Sequence, residues 1–202
     1  RRGMPTINAL WSHQVSIIMG DYLYSRSISE LARLGSIEPV RVLAAASNSM
    51  SVGELRQLAS CDALDFGERD YYQLIECKTA SLISAACELG SLAGNDSLRP
   101  ALRRFGYELG MAFQIADDLL DYTVAEEVTG KPSGQDLREH KMTLPLIEAL
   151  ERMGTTDRAR VTDFFADPDP QDDAIEEIVA LVAREGGLDY ARERAGEFAE
   201  RA

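Results

Sequence analysis

Three aspartates in one helical segment are the residues of this sequence with the clearest chemical potential. Asp117, Asp118 and Asp121 lie within the segment 105–122, which carries apolar or small side chains at most other positions. Each residue of an α-helix advances by about 100°, so the three carboxylates and Gln114 fall within about 100° of one another. Because apolar residues occupy most of the remaining circumference, we expect an interior helix that lines a polar cavity.

Carboxylates this close to one another repel, and in a cavity they either take up protons or share a cation. Ligands that are all oxygen suit Mg²⁺, which keeps several waters and commonly bridges protein carboxylates to a substrate phosphate. The spacing therefore predicts a magnesium site at Asp117, Asp118 and Asp121. A solvent-facing acidic strip is the alternative that the spacing leaves open.

Lysine is rare in this chain, with three lysines against 18 arginines. Lys78 precedes Thr79 in a largely apolar helical segment, whereas Lys131, in a glycine-containing loop, and Lys141 follow the aspartates. Glycines let the backbone approach a ligand closely, and lysine supplies point charges for phosphate. Acidic residues that hold Mg²⁺ beside basic side chains favour a site for a diphosphate. Lys78 taken alone is also compatible with an amine that extends to solvent.

Composition and charge exclude several classes of partner. The chain has 202 residues, enough for one domain over 1–202 with a real core, and a formal charge of −13. Nucleic acids and anionic membrane surfaces need a basic field, so neither is expected as the main partner. No apolar run approaches the ~20 residues that cross a bilayer, and three cysteines without metal-type spacing fit a reducing cytoplasm.

The hydrophobic periodicity predicts an all-α fold. Apolar residues recur at three and four positions, and no run of alternating β-branched residues indicates a strand. Glycine, asparagine and proline clusters mark the breaks between helices. The predicted helices are 8–35, 39–60, 69–93, 98–123, 143–153, 157–166, 171–185 and 187–201.

Four motifs in this order resemble those of the trans-polyprenyl diphosphate synthases, with details nearest the medium- and long-chain bacterial enzymes. The similarity runs from the N-terminus to about residue 145, and the remaining helices carry no motif. The motifs are Arg1-Arg2-Gly3 with Gly20-Asp21-Tyr22-Leu23, Lys78-Thr79-Ala80, Phe113-Gln114-x-x-Asp117-Asp118-x-x-Asp121, and Gly130-Lys131-x-x-Gly134-x-Asp136-x-x-x-x-Lys141-x-Thr143-x-Pro145.

The resemblance implies a multi-helix isoprenoid-synthase bundle around a central cavity. In that family Mg²⁺ held by two facing aspartate-rich motifs binds the diphosphate of an allylic substrate, whose C–O bond ionises. Isopentenyl diphosphate attacks the allylic cation, and loss of a proton leaves a chain five carbons longer. The family is usually homodimeric, so the resemblance also implies a homodimer.

The same resemblance implies which residues bind the two substrates. Lys78, Lys131 and Arg1 bind the allylic diphosphate, and Arg2 binds the diphosphate of isopentenyl diphosphate. Lys141 lies on the diphosphate side of the site. Cations placed there stabilise the charge that the leaving diphosphate gains in the transition state, and so lower the barrier as well as strengthen binding.

The remaining site residues face the metal and the carbon chain. By resemblance Asp117 holds Mg²⁺ with Asp118 and Asp121 beside it, while Thr79 and Gln114 stabilise the developing cation by their dipoles. The family's first aspartate-rich motif would precede Arg1 and is absent from this sequence. We therefore expect N-terminal helices of the fold to be missing, apolar surface to be exposed, and the chain alone to be inactive or nearly so.

Other interpretations fit parts of the sequence. A non-catalytic regulatory subunit of a heteromeric prenyl synthase accounts for the absent first motif, but has no need for the retained aspartates and lysines. A terpene cyclase or head-to-head synthase shares the fold, yet cyclases usually carry an Asn/Ser/Glu metal triad in place of this second motif. A structural helical module would bind neither Mg²⁺ nor diphosphate.

Overall fold

The computed structural model describes residues 4–60, 64–123 and 134–202, and the regular structure of these ranges is helical throughout. This confirms the predicted all-α class. The α-helices are α1 (Ile7–Leu10), α2 (His13–Ala32), α3 (Glu38–Ser60), α4 (Glu68–Ile75), α5 (Ser81–Ala93), α6 (Arg99–Thr123), α7 (Gln135–Arg138), α8 (Leu144–Arg152), α9 (Thr155–Phe165), α10 (Asp172–Arg184) and α11 (Gly187–Arg201).

Most helix boundaries agree with the periodicity to within two residues, and the departures have local causes. The predicted helix 8–35 divides at Trp11 because Ser12 caps a new helix, its hydroxyl accepting from the N–H of Val15 at 3.2 Å. The short α7 was not predicted. It begins after Gly134, which adopts a left-handed conformation with φ of 72°.

The predicted helix 69–93 is interrupted by a π-helical turn, Glu76–Ala80, between α4 and α5. A single π turn widens a helix and often marks a functional site. Here it contains Lys78 and Thr79. A Cβ on Gly53 of α3 would lie 2.8 Å from the Lys78 backbone nitrogen, so only glycine lets α3 approach the turn this closely.

The core lies around α6, which packs chiefly on α5 and α11, and around α8, which packs on α11 and α10. Ile115 of α6 and Leu146 of α8 are fully buried, and each such side chain contributes about 1.5–3 kcal/mol by leaving water. A Cβ on Gly110 would come within 2.5 Å of the Ala80 Cα. Glycine at that position therefore brings the aspartate helix directly against the turn that carries Lys78 and Thr79.

Two helices, α2 and α6, expose large apolar side chains. Helix α2 buries none of its residues. On α6, Leu109, Phe113 and Leu120 are 40%, 58% and 46% exposed, and no described helix covers them. The expected interior helix is therefore buried on one side only. None of the helices in the described ranges has the length and apolar character needed to span a bilayer.

Candidate active site

A chain of hydrogen bonds links the π turn to the aspartate helix. Thr79 Oγ1 donates to Gln114 Oε1 at 2.6 Å, and Gln114 Nε2 donates to Asp118 Oδ1 at 2.8 Å. The phenol of Tyr71 donates to the other Asp118 oxygen at 2.7 Å. The sequence placed three of these residues at one site, and the structure joins them. Tyr71 was not predicted, because 47 positions separate it from its partner.

Asp118 is the buried member of the aspartate stripe. Burial, followed by the nearby Asp136 carboxylate, raises the pKa of Asp118 to about 7. The bonds donated by Tyr71 and Gln114 act in the opposite direction, since they stabilise the ionised form. A bound cation would stabilise that form further, so the site is arranged to gain from a positive charge placed beside it.

Asp121 binds the backbone that follows the aspartate helix. Its two carboxylate oxygens accept from the N–H groups of Gln135 and Asp136 at 3.2 and 2.9 Å. Its own carbonyl accepts from the N–H of Gly134 at 2.9 Å. Burial raises the pKa of Asp121, although the two backbone bonds oppose that rise. Asp121 thereby fastens the start of α7 against the end of α6.

Lys141 lies beside this junction and is paired on two sides. Its ammonium contacts Asp136 Oδ1 at 3.0 Å and Glu139 Oε2 at 2.6 Å. Burial alone would lower the pKa of Lys141, but the two carboxylates raise it. The sequence placed Lys141 on the diphosphate side without naming partners. Asp136 is a fourth carboxylate at the site, and its position in the glycine–lysine motif was the available signal.

Lys78 is held between two parts of the molecule. Its ammonium donates to Gln57 Oε1 and lies 3.4 Å from Glu54 Oε2, both on α3. Lys141, and with a smaller effect Lys78, hold the pKa of the Glu139 carboxyl below its usual range. The structure thus pairs Lys78 with side chains of α3, and its role in binding substrate stays a prediction.

Asp117 differs from the other two aspartates because its side chain is exposed. Within the described ranges, no group of three or more His, Cys, Asp or Glu side chains is arranged to hold a metal ion by itself. Mg²⁺ is commonly held by one or two carboxylates together with waters and substrate phosphates, without a complete protein cage. An accessible Asp117 beside the partly engaged Asp118 and Asp121 fits that mode of binding.

Three predicted substrate-binding residues lie outside the described residues. These are Arg1, Arg2 and Lys131, and their assignments remain predictions. Among the described residues, hydrogen bonds join Thr79, Gln114 and Asp118, and Asp121 is bonded to the backbone of Asp136, with which Lys141 is paired. What the sequence could not give was the network around them, whose members come from α3, α4 and the segment after α6.

Comparisons with known proteins point to one family. The sequence model of the polyprenyl synthetase family matches residues 1–182. An octaprenyl diphosphate synthase of Haemophilus influenzae is 35% identical over 100% of this chain and 62% of its own length. The heptaprenyl diphosphate synthase component 2 of Geobacillus stearothermophilus is 43% identical over 74% of this chain and 48% of its own.

A solved structure shows the same fold. The polyprenyl synthase of Caulobacter crescentus, in complex with calcium and isoprenyl diphosphate, superposes with a TM-score of 0.92 at 34% identity. The alignment covers 100% of this chain and 62% of that protein. The chain thus spans less than two thirds of the length of these three relatives.

Proposed function

The chain belongs to the polyprenyl synthetase family, and from that premise we propose that it carries the catalytic core of a Mg²⁺-dependent prenyltransferase. The enzyme adds isopentenyl diphosphate to an allylic diphosphate by ionisation, condensation and elimination, and releases diphosphate. The observation that carries this proposal is the hydrogen-bonded chain from Thr79 through Gln114 to Asp118. It joins a residue beside Lys78 to the aspartate stripe.

The aspartates and Lys78 contribute to binding of the allylic diphosphate in different ways. Asp117, with Asp118 and Asp121 beside it, would hold Mg²⁺, and the bound ion would supply positive charge to the leaving diphosphate. Lys78 donates to the same group when it turns from Gln57 and Glu54, which hold it in place in the structure. A cation beside the leaving oxygen stabilises the charge that develops there as the C–O bond breaks, so it lowers the barrier.

Further basic residues bind the diphosphate groups of the two substrates. Lys131 and Arg1 also bind the allylic diphosphate, and Arg2 binds the diphosphate group of isopentenyl diphosphate. Lys141, paired to Asp136 and Glu139, orders the segment that follows the aspartates. These assignments are supported by the family motifs, since arginine and lysine suit phosphate oxygens.

Thr79 and Gln114 act on the allylic cation. Thr79 donates its hydroxyl hydrogen to Gln114, which leaves the lone pairs of Thr79 Oγ1 free to face positive charge. Attack by the double bond of isopentenyl diphosphate then forms the new C–C bond, and loss of a proton completes the elongation.

Elongation tests the proposal directly. The complete gene product that contains these 202 residues is incubated with Mg²⁺, an allylic diphosphate and isopentenyl diphosphate. We expect products longer by multiples of five carbons and release of diphosphate. The 202-residue chain alone, with one aspartate-rich motif, is expected to react slowly or not at all. A complete gene product that releases no diphosphate and makes no longer product would refute the assignment.

The assembly is also a proposal. We propose a homodimer that uses the exposed apolar surface of α2, and a cytoplasmic location, as the family resemblance implies. The relatives named heptaprenyl diphosphate synthase component 2 favour a second candidate, in which this chain is one component of a heteromeric synthase. Measurement of subunit composition after purification from the native cell distinguishes the two.

A further inference from the structure

We propose that Tyr71 is a positioning residue for the ionisation step, acting on Gln114 through Asp118. The inference rests on the proposed function and goes beyond it, because no motif in the sequence points to Tyr71. Its hydroxyl fixes one oxygen of Asp118, and the other Asp118 oxygen fixes which end of the Gln114 amide faces Thr79.

The order of donors along the chain follows from what each group can do. An ionised carboxylate only accepts, so Gln114 must turn its amino end toward Asp118 and its carbonyl toward Thr79. Thr79 then has to donate to that carbonyl, as it does at 2.6 Å. With its hydrogen committed, the Thr79 oxygen presents lone pairs to the site. Reversal of the amide would instead direct the Gln114 amino group at Thr79.

Tyr71 occupies the oxygen of Asp118 that Gln114 does not use. The two donors approach different oxygens, at 2.7 and 2.8 Å, and together they fix the carboxylate plane. Tyr71 is 1% exposed, so water has little access to take the place of its hydroxyl. Without that hydroxyl, Asp118 Oδ2 lacks its buried donor, the carboxylate can rotate, and the Gln114 amide loses its fixed acceptor.

The neighbouring Tyr72 provides a matched comparison. Its hydroxyl donates to Glu68 at 2.8 Å, and Glu68 also accepts from Tyr190 of α11 at 2.7 Å. Tyr72 thus belongs to the contact between α4 and α11, where its ring also packs on Phe198. The two adjacent phenols therefore have different partners. Tyr71 donates to Asp118 of the candidate site, whereas Tyr72 donates to Glu68 beside α11.

The test compares Tyr71→Phe with Tyr72→Phe in the complete gene product. Loss of a partner that orients a site residue typically costs about 10- to 100-fold in activity. We expect Tyr71→Phe to lower kcat by that factor with KM for the allylic substrate within about twofold of wild type, as for an interaction that acts in the transition state. Tyr72→Phe should lower Tm and leave kcat near the wild-type value.

A double variant tests whether Tyr71 affects kcat through Gln114. If Tyr71 acts through Gln114, adding Tyr71→Phe to Gln114→Met causes no further loss of kcat, whereas multiplied losses overturn the proposal. Equal kcat values for the two tyrosine variants also overturn it. So does a Tyr71→Phe protein that does not fold, because the hydroxyl is then required by the fold. A wild-type protein without elongation activity refutes the proposed function itself, which separates the two failures.

Discussion

The pKa of Asp118 is set by effects of opposite sign. Two hydrogen bonds stabilise its ionised form, while burial and the Asp136 carboxylate oppose ionisation strongly enough to bring the pKa to about 7. In the unfolded chain an aspartate titrates near its ordinary value of about 3.9. The native state therefore binds more protons than the unfolded state between these two values.

The sign of this difference gives a pH prediction. The contribution of Asp118 to the free energy of unfolding, measured without divalent metal, should fall as pH rises from about 4 to about 7, because the proton bound in the native state is lost over that range. Asp118→Asn should weaken this slope, while Asp121, whose pKa is also raised, retains part of it. Denaturant titrations across that pH range measure the effect.

The control for this prediction is Asp117→Asn, which removes an exposed carboxylate from the same helix. The Asp117 charge raises the pKa of Asp118 with a smaller effect than burial does, so Asp117→Asn should change the slope less than Asp118→Asn. A slope that Asp117→Asn and Asp118→Asn change equally would contradict the account of Asp118 as the buried, strained carboxylate of the stripe.

At the scale of elements, the close contact of α6 with the π turn is what places Gln114 beside Thr79. Gly110 permits that contact, since a Cβ there would lie 2.5 Å from the Ala80 Cα, which is backbone and cannot turn aside. We expect Gly110→Ala to cost about 1–3 kcal/mol in the free energy of unfolding. Elongation activity should fall as well, because the two helices must separate.

Gly90 of α5 is the matched control, because nothing lies within 4 Å of a Cβ placed there. Gly90→Ala should raise the free energy of unfolding by up to about 1 kcal/mol, as expected for alanine replacing glycine within a helix. Equal Tm changes of the same sign in both variants would show that helix packing at Gly110 is not the controlling factor.

The elements were predictable from the sequence to different degrees. Long amphipathic helices such as α6 follow from local periodicity, so their ends were predicted closely. The π turn and α7 were not, because they depend on contacts distant in sequence: Gly53 against Lys78, and Asp121 against the N–H groups of Gln135 and Asp136. The same holds for the site. Its charged residues could be selected by type and spacing, but their partners could not.

On the scale of the whole molecule, the exposed apolar surface accounts for the proposed self-association. Ile18 and Leu23 of α2 are 66% and 57% exposed. We expect Ile18→Asp with Leu23→Asp to raise the dimer Kd by at least about tenfold, since buried apolar anchors dominate interface energies. Analytical ultracentrifugation measures this constant. Thr156→Asp, an exposed change on α9, serves as the control.

A dimer that persists unchanged in the double aspartate variant would place the interface elsewhere. A monomeric wild-type protein would contradict the homodimer proposal and favour a heteromeric assembly. Either result leaves the site account intact, because every contact in that account lies within one chain.

Calorimetric titration with inorganic diphosphate, with and without Mg²⁺, tests the central account most directly. We predict that binding requires Mg²⁺ and weakens by at least about tenfold in Asp117→Asn and in Lys78→Met, with Tm near the wild-type value in both. Diphosphate binding of equal strength with and without Mg²⁺, or unaffected by both substitutions, would contradict the assignment of this aspartate and lysine cluster as a metal–diphosphate site.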